Sequence, residues 1–143
     1  MRYSFCILKP DSVQRGLVDE IIRIIVGNGF SVICKKRFRF TSEIVELVYG
    51  HAKGKDHFGP MTQFLISGDS IAMVVESSCN DAIQRLNSLV GDTDPNKARP
   101  GTIRKLGESI RHNLIHSTSS KETFHKEVKL FFLPEELEKI SCD

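Results

Sequence analysis

Apolar and polar positions alternate along the chain with two different periods, which predict short strands separated by amphipathic helices. Three largely apolar segments, at residues 3–8, 30–40 and 70–76, predict strands. The first segment ends at Lys9-Pro10, because proline cannot donate a hydrogen bond to a sheet ladder. The second alternates well and is basic in its second half, which is typical of an edge strand or a strand with one exposed face.

Apolar residues that recur every three or four positions predict helices between these strands. This spacing occurs at residues 17–26, 41–49, 61–66 and 82–90. The first of these helices should end at the glycine-rich residues 27–29, because glycine and asparagine accept the left-handed backbone found after helix ends. Four helices and three strands are therefore expected before residue 91.

The last third of the chain has little apolar periodicity. Residues 92–120 predict a loop, and so long a loop in a compact domain is usually functional or disordered. We then expect one or two helical turns at 122–127, a last strand at 128–132 and a short helix at 134–137. The resulting order predicts one domain over residues 1–143 with an α+β, ferredoxin-like (split βαβ) fold. In that fold, helices pack on a four-stranded antiparallel sheet.

Composition and charge exclude several classes of protein. A net charge of +2 and 40% hydrophobic residues do not favour disorder, nucleic-acid binding or attachment to an anionic membrane. No stretch approaches the roughly 18 apolar residues of a membrane span, and the first residues lack the apolar segment of a signal peptide. The four cysteines, Cys6, Cys34, Cys79 and Cys142, are too far apart for a CxxC motif. We therefore expect a cytoplasmic protein with no metal site of its own.

The long predicted loop contains residue types that bind phosphate. The sequence PGTIR occupies positions 100–104, and NLIH at 113–116 is followed by Ser, Thr, Ser and Ser. Hydroxyl and guanidinium groups among small residues can donate hydrogen bonds to a cluster of negatively charged oxygens. A histidine in such surroundings can accept a phosphoryl group, because neutral imidazole is a good nucleophile near pH 7. On their own, these residues are weak evidence, because a single histidine in a polar loop is more often solvated than catalytic.

Four segments together resemble the nucleoside diphosphate kinase family. They are ILKPDSVQRGLV at 7–18, PGTIR at 100–104, NLIH at 113–116 and PEEL at 134–137, in the family's order and near its spacing. The resemblance implies a transfer of the γ-phosphate of a nucleoside triphosphate to a nucleoside diphosphate, by a ping-pong mechanism through phosphohistidine at His116. It also implies Mg²⁺ bridging the phosphates rather than held in a protein cage. The expected assembly is a homo-oligomer, a hexamer with a tetramer as the alternative.

The resemblance also implies roles for residues distant from the histidine. Glu127 matches the family's acidic partner of the imidazole, which orients the ring and stabilises its positive charge. Lys9 matches the family's phosphate-binding lysine, and Tyr49 matches a tyrosine near the reacting phosphate. The other matches are nucleotide ligands: Thr93 and Arg104 for phosphate oxygens, and Asn113 for the sugar.

Three departures from the family's pattern surround these matches. His57 occupies the position of a phenylalanine that stacks on the base, and an imidazole stacks with less area. Ser119 stands where an aspartate is usual, and the stretch between Arg104 and Asn113 is one residue shorter. We expect the change at His57 to lower nucleotide affinity modestly, and the other two changes to slow turnover without abolishing it.

The fourth departure concerns a phosphate-binding arginine on the helix at 82–90. Alignment backward from Gly91 places Asn87 at that position, whereas alignment forward from the preceding strand places Arg85 there. We favour Asn87 as the nucleotide-site residue. In that case one phosphate-binding cation is missing, or is supplied by Arg99 or Lys105.

Two other functions compete with an active phosphotransferase, and the sequence favours them unequally. Asn87, His57 and Ser119 motivate a family member that binds nucleotide or another protein but turns over poorly. A ferredoxin-like sheet can also bind single-stranded nucleic acid, but the predicted strands lack paired exposed aromatic residues that stack bases. We therefore expect nucleoside di- and triphosphates as partners, with neither nucleic acid nor membrane.

Overall fold

Strands from three distant parts of the chain meet in one antiparallel sheet in the computed structural model, which describes residues 1–140. The strands are β1 (Tyr3–Leu8), β2 (Phe30–Arg39), β3 (Asp69–Ser77) and β4 (Ile115–Ser117). Their order is β2-β3-β1-β4, and β1 pairs antiparallel with both β3 and β4. This arrangement confirms the ferredoxin-like α+β fold with a four-stranded antiparallel sheet, and it places β2 at an edge.

Residues 1–140 also contain six helices. They are α1 (Pro10–Gln14), α2 (Val18–Gly27), α3 (Ser42–Tyr49), α4 (Phe58–Ile66), α5 (Ala82–Val90) and α6 (Lys121–Phe131). Single 3-10 turns occur at Gly50–Ala52 and Ile103–Leu106. No helix in this part of the chain has the length and apolar character needed to span a membrane.

The central strand β1 is buried on both faces and separates two hydrophobic clusters, because successive side chains of a strand point to opposite faces. Phe5 and Ile7 pack into the cluster that includes side chains of α3 and α6. Cys6 and Leu8 pack on the other face, in the cluster that includes side chains of α2 and α5. Burial raises the pKa of the Cys6 thiol to about 12, which fits a core-filling role. Cys142 lies outside the described residues.

The C-terminal third differs from the sequence prediction. Residues 128–132 were predicted as a strand, but α6 continues without a break to Phe131. The reason is tertiary: Phe124, Val128 and Phe131 recur at helical spacing and are buried against the sheet. The fourth strand is instead β4, a three-residue strand inside the predicted loop. Residues 134–137 form hydrogen-bonded turns rather than the predicted helix.

Candidate active site

A cavity of about 470 Å³ lies beside His116, at the end of β1. Seven of the nine predicted site residues line it: Lys9, Tyr49, His57, Thr93, Arg104, Asn113 and His116. Glu127 lies behind the histidine, and Asn87 is outside the lining. We call Lys9, Asn113, Ile115 and His116, with Glu127 behind them, the floor of the cavity. We call His57, Ile110 and Arg111, all exposed, its rim.

His116 is held at the floor by a buried carboxylate. It lies on β4 opposite Ile7 of β1, and its Nε2 is 2.8 Å from Oε2 of Glu127. Glu127 is only 3% exposed and lies on the inward face of α6, which begins after the N-cap Ser120. An ionised carboxylate only accepts hydrogen bonds, so this contact places the ring proton on Nε2. Nδ1 then retains its lone pair for a reacting atom.

The turn before His116 is stabilised by a residue that sequence reasoning missed. Leu114 has φ of 79°, a left-handed conformation that costs a residue other than glycine roughly 1–2 kcal/mol. Its N–H donates to Oδ2 of buried Asp11, and its carbonyl accepts from the backbone N–H of Lys9. Burial raises the pKa of Asp11, and nearby Lys9 partly offsets that rise. The Lys-Pro-Asp segment was the available signal, because it places Asp11 beside the end of β1.

Two cations line the cavity, Lys9 on the floor and Arg104 on the wall. Lys9 is 8% exposed, and its Nζ donates to Oδ1 of Asn113 at 2.7 Å. Burial lowers the pKa of Lys9 to about 8; Asp11 opposes this shift and Arg104 adds to it. The Arg104 guanidinium donates to the carbonyls of Gly91 at 3.2 Å and Ile115 at 2.8 Å, and burial lowers its pKa. Within residues 1–140 neither cation is in an ion pair, so the site favours an anion.

Uncharged donors complete the inner part of the cavity. The Tyr49 ring lies 5.2 Å from the His116 ring, centroid to centroid. Its buried hydroxyl has no hydrogen-bond partner among the described residues, and burial raises the pKa of Tyr49. Asn113 is 2% exposed and donates through Nδ2 to the carbonyl of Thr93 at 2.9 Å. A buried donor without a partner is a group that a bound ligand can satisfy.

The two candidates on α5 point to different places, and neither lines the cavity. Asn87 accepts from Oγ of Ser117 at 2.5 Å and donates to the carbonyl of Thr118 at 3.1 Å. It therefore contacts the two residues that follow His116. Arg85 donates to Oγ of Ser77 at 2.6 Å and packs its guanidinium over the Phe30 ring.

Sequence reasoning also missed part of the cavity wall. Met61, Ile110, Arg111 and Ile115 line the cavity, and Ile110 is 60% exposed. Residues 110–111 fall in a segment without apolar periodicity, so the pattern gave no signal for them. No group of three or more histidine, cysteine, aspartate or glutamate residues within residues 1–140 is placed to hold a metal ion.

Comparison with known proteins decides the family. The family model described as "Nucleoside diphosphate kinase" matches residues 2–137. The chain belongs to the nucleoside diphosphate kinase family. A relative from Carboxydothermus hydrogenoformans with that name is 41% identical over 138 residues, covering 96% of this chain and 91% of the relative. A relative from Thermosipho melanesiensis with the same name is 39% identical, covering 96% and 92%.

Solved structures of nucleoside diphosphate kinases share the fold. The enzyme from Halobacterium salinarum, in complex with CDP, has a TM-score of 0.88 and 34% identity, covering 94% of this chain and 89% of that one. The apo enzyme from Encephalitozoon cuniculi has a TM-score of 0.86 and 32% identity, covering 92% and 89%. The predicted family is therefore confirmed, as is the prediction of a phosphotransferase of the nucleoside diphosphate kinase family.

Proposed function

We propose that this family member transfers the terminal phosphate of a nucleoside triphosphate to a nucleoside diphosphate through a phosphohistidine on His116. One observation carries the proposal: a single imidazole at the floor of the cavity has Nε2 held by buried Glu127. Its Nδ1 is left free beside two cations, Lys9 and Arg104. This combines a nucleophile with groups that stabilise a transferring phosphoryl group.

The proposed reaction has two symmetric halves. In the first, the Nδ1 lone pair of His116 attacks the γ-phosphorus, an N–P bond forms and the bond to the bridging oxygen breaks. The nucleoside diphosphate leaves with that electron pair on its terminal oxygen. In the second half, a terminal oxygen of another nucleoside diphosphate attacks the phosphorus, and the N–P electrons return to the ring. Glu127 stabilises the positive charge that develops on the imidazole in both halves.

Side chains around His116 are proposed to stabilise the charge of the transferring phosphate. Lys9 and Arg104 offset the charge on the transferring phosphate, and the Tyr49 hydroxyl donates a hydrogen bond to it. Thr93 is proposed as a further phosphate ligand. Asn113 is proposed to bind the sugar, and it also positions Lys9, because its Oδ1 already accepts from the ammonium.

The aromatic and apolar residues at the entrance of the cavity are proposed to hold the base without reading its identity. His57 offers a ring that stacks on any base, and Met61 and Ile110 offer apolar surface. The CDP in the Halobacterium salinarum structure supports a nucleoside diphosphate as ligand. We therefore propose a broad range of nucleotides.

Mg²⁺, the assembly and the location are proposed from the family. The cavity lining has cations, amides and hydroxyls but no carboxylate, so the site suits phosphates rather than a resident divalent ion. We propose that Mg²⁺ enters as part of the nucleotide substrate. We also propose a cytoplasmic homo-oligomer, a hexamer with a tetramer as the alternative, and light scattering would give the number of subunits.

Labelling with γ-labelled ATP tests the proposed function. The wild type should acquire an acid-labile, alkali-stable label, and a His116→Ala variant should acquire none. His51→Ala is the matched control, because His51 is exposed and does not line the cavity. An unlabelled wild type, or equal labelling of the His116→Ala variant, would contradict the proposal.

The position of Asn87 favours a second candidate, a member that binds nucleotide but turns over poorly. Asn87 is neutral and the Arg85 guanidinium bonds to Ser77, so α5 provides no third cation to the cavity. Steady-state phosphate exchange separates the two functions. A kcat of about 10 s⁻¹ or more, typical of efficient enzymes, would eliminate the second candidate.

A further inference from the structure

A tight turn carries two exposed side chains to the rim of the cavity. The backbone N–H of Ser109 donates to the carbonyl of His112 at 3.3 Å, and the backbone N–H of His112 donates to Ser109 Oγ at 3.0 Å. These two bonds join the first residue of the turn to the last. Ile110 and Arg111 form its tip, and both line the cavity.

The base of this turn is fixed to the rest of the site. The His112 ring packs edge-on against Phe64 of α4, with 4.4 Å between the ring centroids. Gly107 lies so close to the returning chain that a Cβ there would be 2.9 Å from Cα of Asn113 and from the His112 carbonyl oxygen. The tip is therefore attached to closely packed residues, and Asn113 of the floor follows directly after them.

Arg111 brings an uncompensated charge to the rim. Its guanidinium makes no hydrogen bond or ion pair with any residue of 1–140, although it lines the cavity. Glu108, the acidic residue nearest to it in sequence, pairs instead with Nε of Arg15 at 3.5 Å. Arg15 also donates to the carbonyl of Leu106 at 2.8 Å, which keeps it on that side of the turn.

We propose that Arg111 is a nucleotide-binding residue that donates hydrogen bonds to a phosphate oxygen of the bound nucleotide. The inference rests on the proposed function, because it takes the cavity to be the nucleotide site. A guanidinium is a planar set of donors that matches phosphate oxygens in pairs. Its neighbour Ile110 provides apolar surface for a base, so the tip of the turn would contact two parts of one nucleotide. Arg111 then acts as the third cation of the cavity, in place of one on α5.

The two cations suggested by the sequence do not occupy this position. Arg99 lies with Lys97 and Asn87 in a separate cavity of about 440 Å³. Lys105 is exposed on a 3-10 turn and does not line the site beside His116. Lys105→Gln therefore removes one positive charge from the same region without removing a cavity group, which makes it a matched control.

Calorimetric titration of Mg²⁺-bound ADP, GDP and CDP tests the inference. Arg111→Gln should weaken the binding of all three nucleotides by the same factor, about fivefold to tenfold, because one charged donor to phosphate is lost. Arg111→Lys should recover part of the affinity, since it restores the charge but not the paired donors. The loss should shrink as salt concentration rises, and Lys105→Gln should bind like the wild type.

Several outcomes would overturn the inference. Unchanged nucleotide affinity in Arg111→Gln would do so, as would a loss that depends on the base, which indicates contact with the base edge. An equal loss in Lys105→Gln would indicate a general field effect instead of a contact. The titration requires no turnover, so failure of His116 labelling overturns the proposed function alone. Conversely, a labelled wild type combined with unchanged binding in Arg111→Gln overturns only the role of Arg111.

Discussion

Polar side chains on the floor of the cavity are mostly buried and hydrogen-bonded within the site, whereas those on its rim are exposed and make no hydrogen bond among the described residues. Lys9, Asn113 and Glu127 are each at most 8% exposed, and every one of them bonds to another polar group of the site. The His57 and Arg111 side chains have no such bonds among the described residues. The floor lies on β4, on α6 and on the residues that directly follow β1 and precede β4, while a turn and the start of α4 carry the rim.

This difference separates the chemistry from the recognition of the nucleotide. Burying a charged or polar group is costly unless it is bonded, so the floor keeps one fixed arrangement before any ligand arrives. Fixed donors need little reorganisation during the reaction, which is what phosphoryl transfer requires. The rim has no comparable constraint, and His57, which the sequence resemblance predicts to differ from the family's usual residue, lies there. A residue change on the floor should therefore affect rate, and one on the rim should affect affinity.

Removal of the Glu127 carboxylate should give the largest of the predicted effects. We expect Glu127→Gln and Glu127→Ala to lower kcat at least about a hundredfold while ADP affinity is retained, because the carboxylate does not line the cavity and its hydrogen bond is to His116. Stopped-flow phosphorylation of the enzyme measures the rate directly. Glu122→Ala is the control, since Glu122 is exposed on the first turn of the same helix. A loss below about threefold would exclude a role for Glu127 in the reaction.

The pH profile should show the ionisation of Lys9. With a pKa of about 8, Lys9 is charged below pH 8 and neutral above it. Nucleotide phosphates stay ionised in this range, so kcat/KM should fall as pH rises through 8, by about tenfold per unit at high pH. This decrease should appear in kcat/KM, because that ratio reports ionisation of the free enzyme. In the complex, a bound phosphate would raise the pKa of Lys9 again.

Lys9→Arg provides the control for this assignment. A guanidinium stays charged to far higher pH, so the variant should lose the alkaline limb even though its activity is lower throughout. If the limb near pH 8 persists in Lys9→Arg, a different group is responsible for it.

The same contrast explains how much the sequence could predict. Three of the four strands, four of the helices and seven of the cavity residues followed from apolar spacing and from motifs in register with a family. The β4 strand was missed because three residues cannot show a period, and its pairing with β1 spans more than a hundred residues of sequence. Local preference made 128–132 a predicted strand, but Phe131 stacks on Phe5 from a helix, with ring centroids 5.4 Å apart.

Details of the floor depend on contacts that local sequence does not encode. The left-handed Leu114 is favoured by Asp11, which is 103 residues away in sequence. The direction of Asn87 depends on a bond to Ser117, so alignment could identify the residue but not the place to which its side chain points. That Ile110 and Arg111 line the cavity could not be predicted either, because it depends on the path of the turn.

Substitution of Asn87 tests whether this residue positions the segment after His116 or binds the nucleotide. Its bonds to Ser117 and Thr118 support the residues that follow His116, so Asn87→Ala should lower kcat about fivefold and leave ADP affinity unchanged. Ser117→Ala should have a similar effect, and the double variant should lose little more, because both changes break one shared contact. A raised KM with unchanged kcat would instead make Asn87 a phosphate ligand.

The smallest predicted effect is at His57, on the rim. His57→Phe replaces an imidazole by a larger apolar ring at a position that lines the cavity, so ADP should bind about threefold more tightly. The kcat should stay the same, because the change is remote from the bonds that hold His116. His51→Phe, an equal change at an exposed residue outside the cavity, should alter neither value. If His57→Phe changes kcat but not affinity, floor and rim are not separable in the way that their burial and bonding indicate.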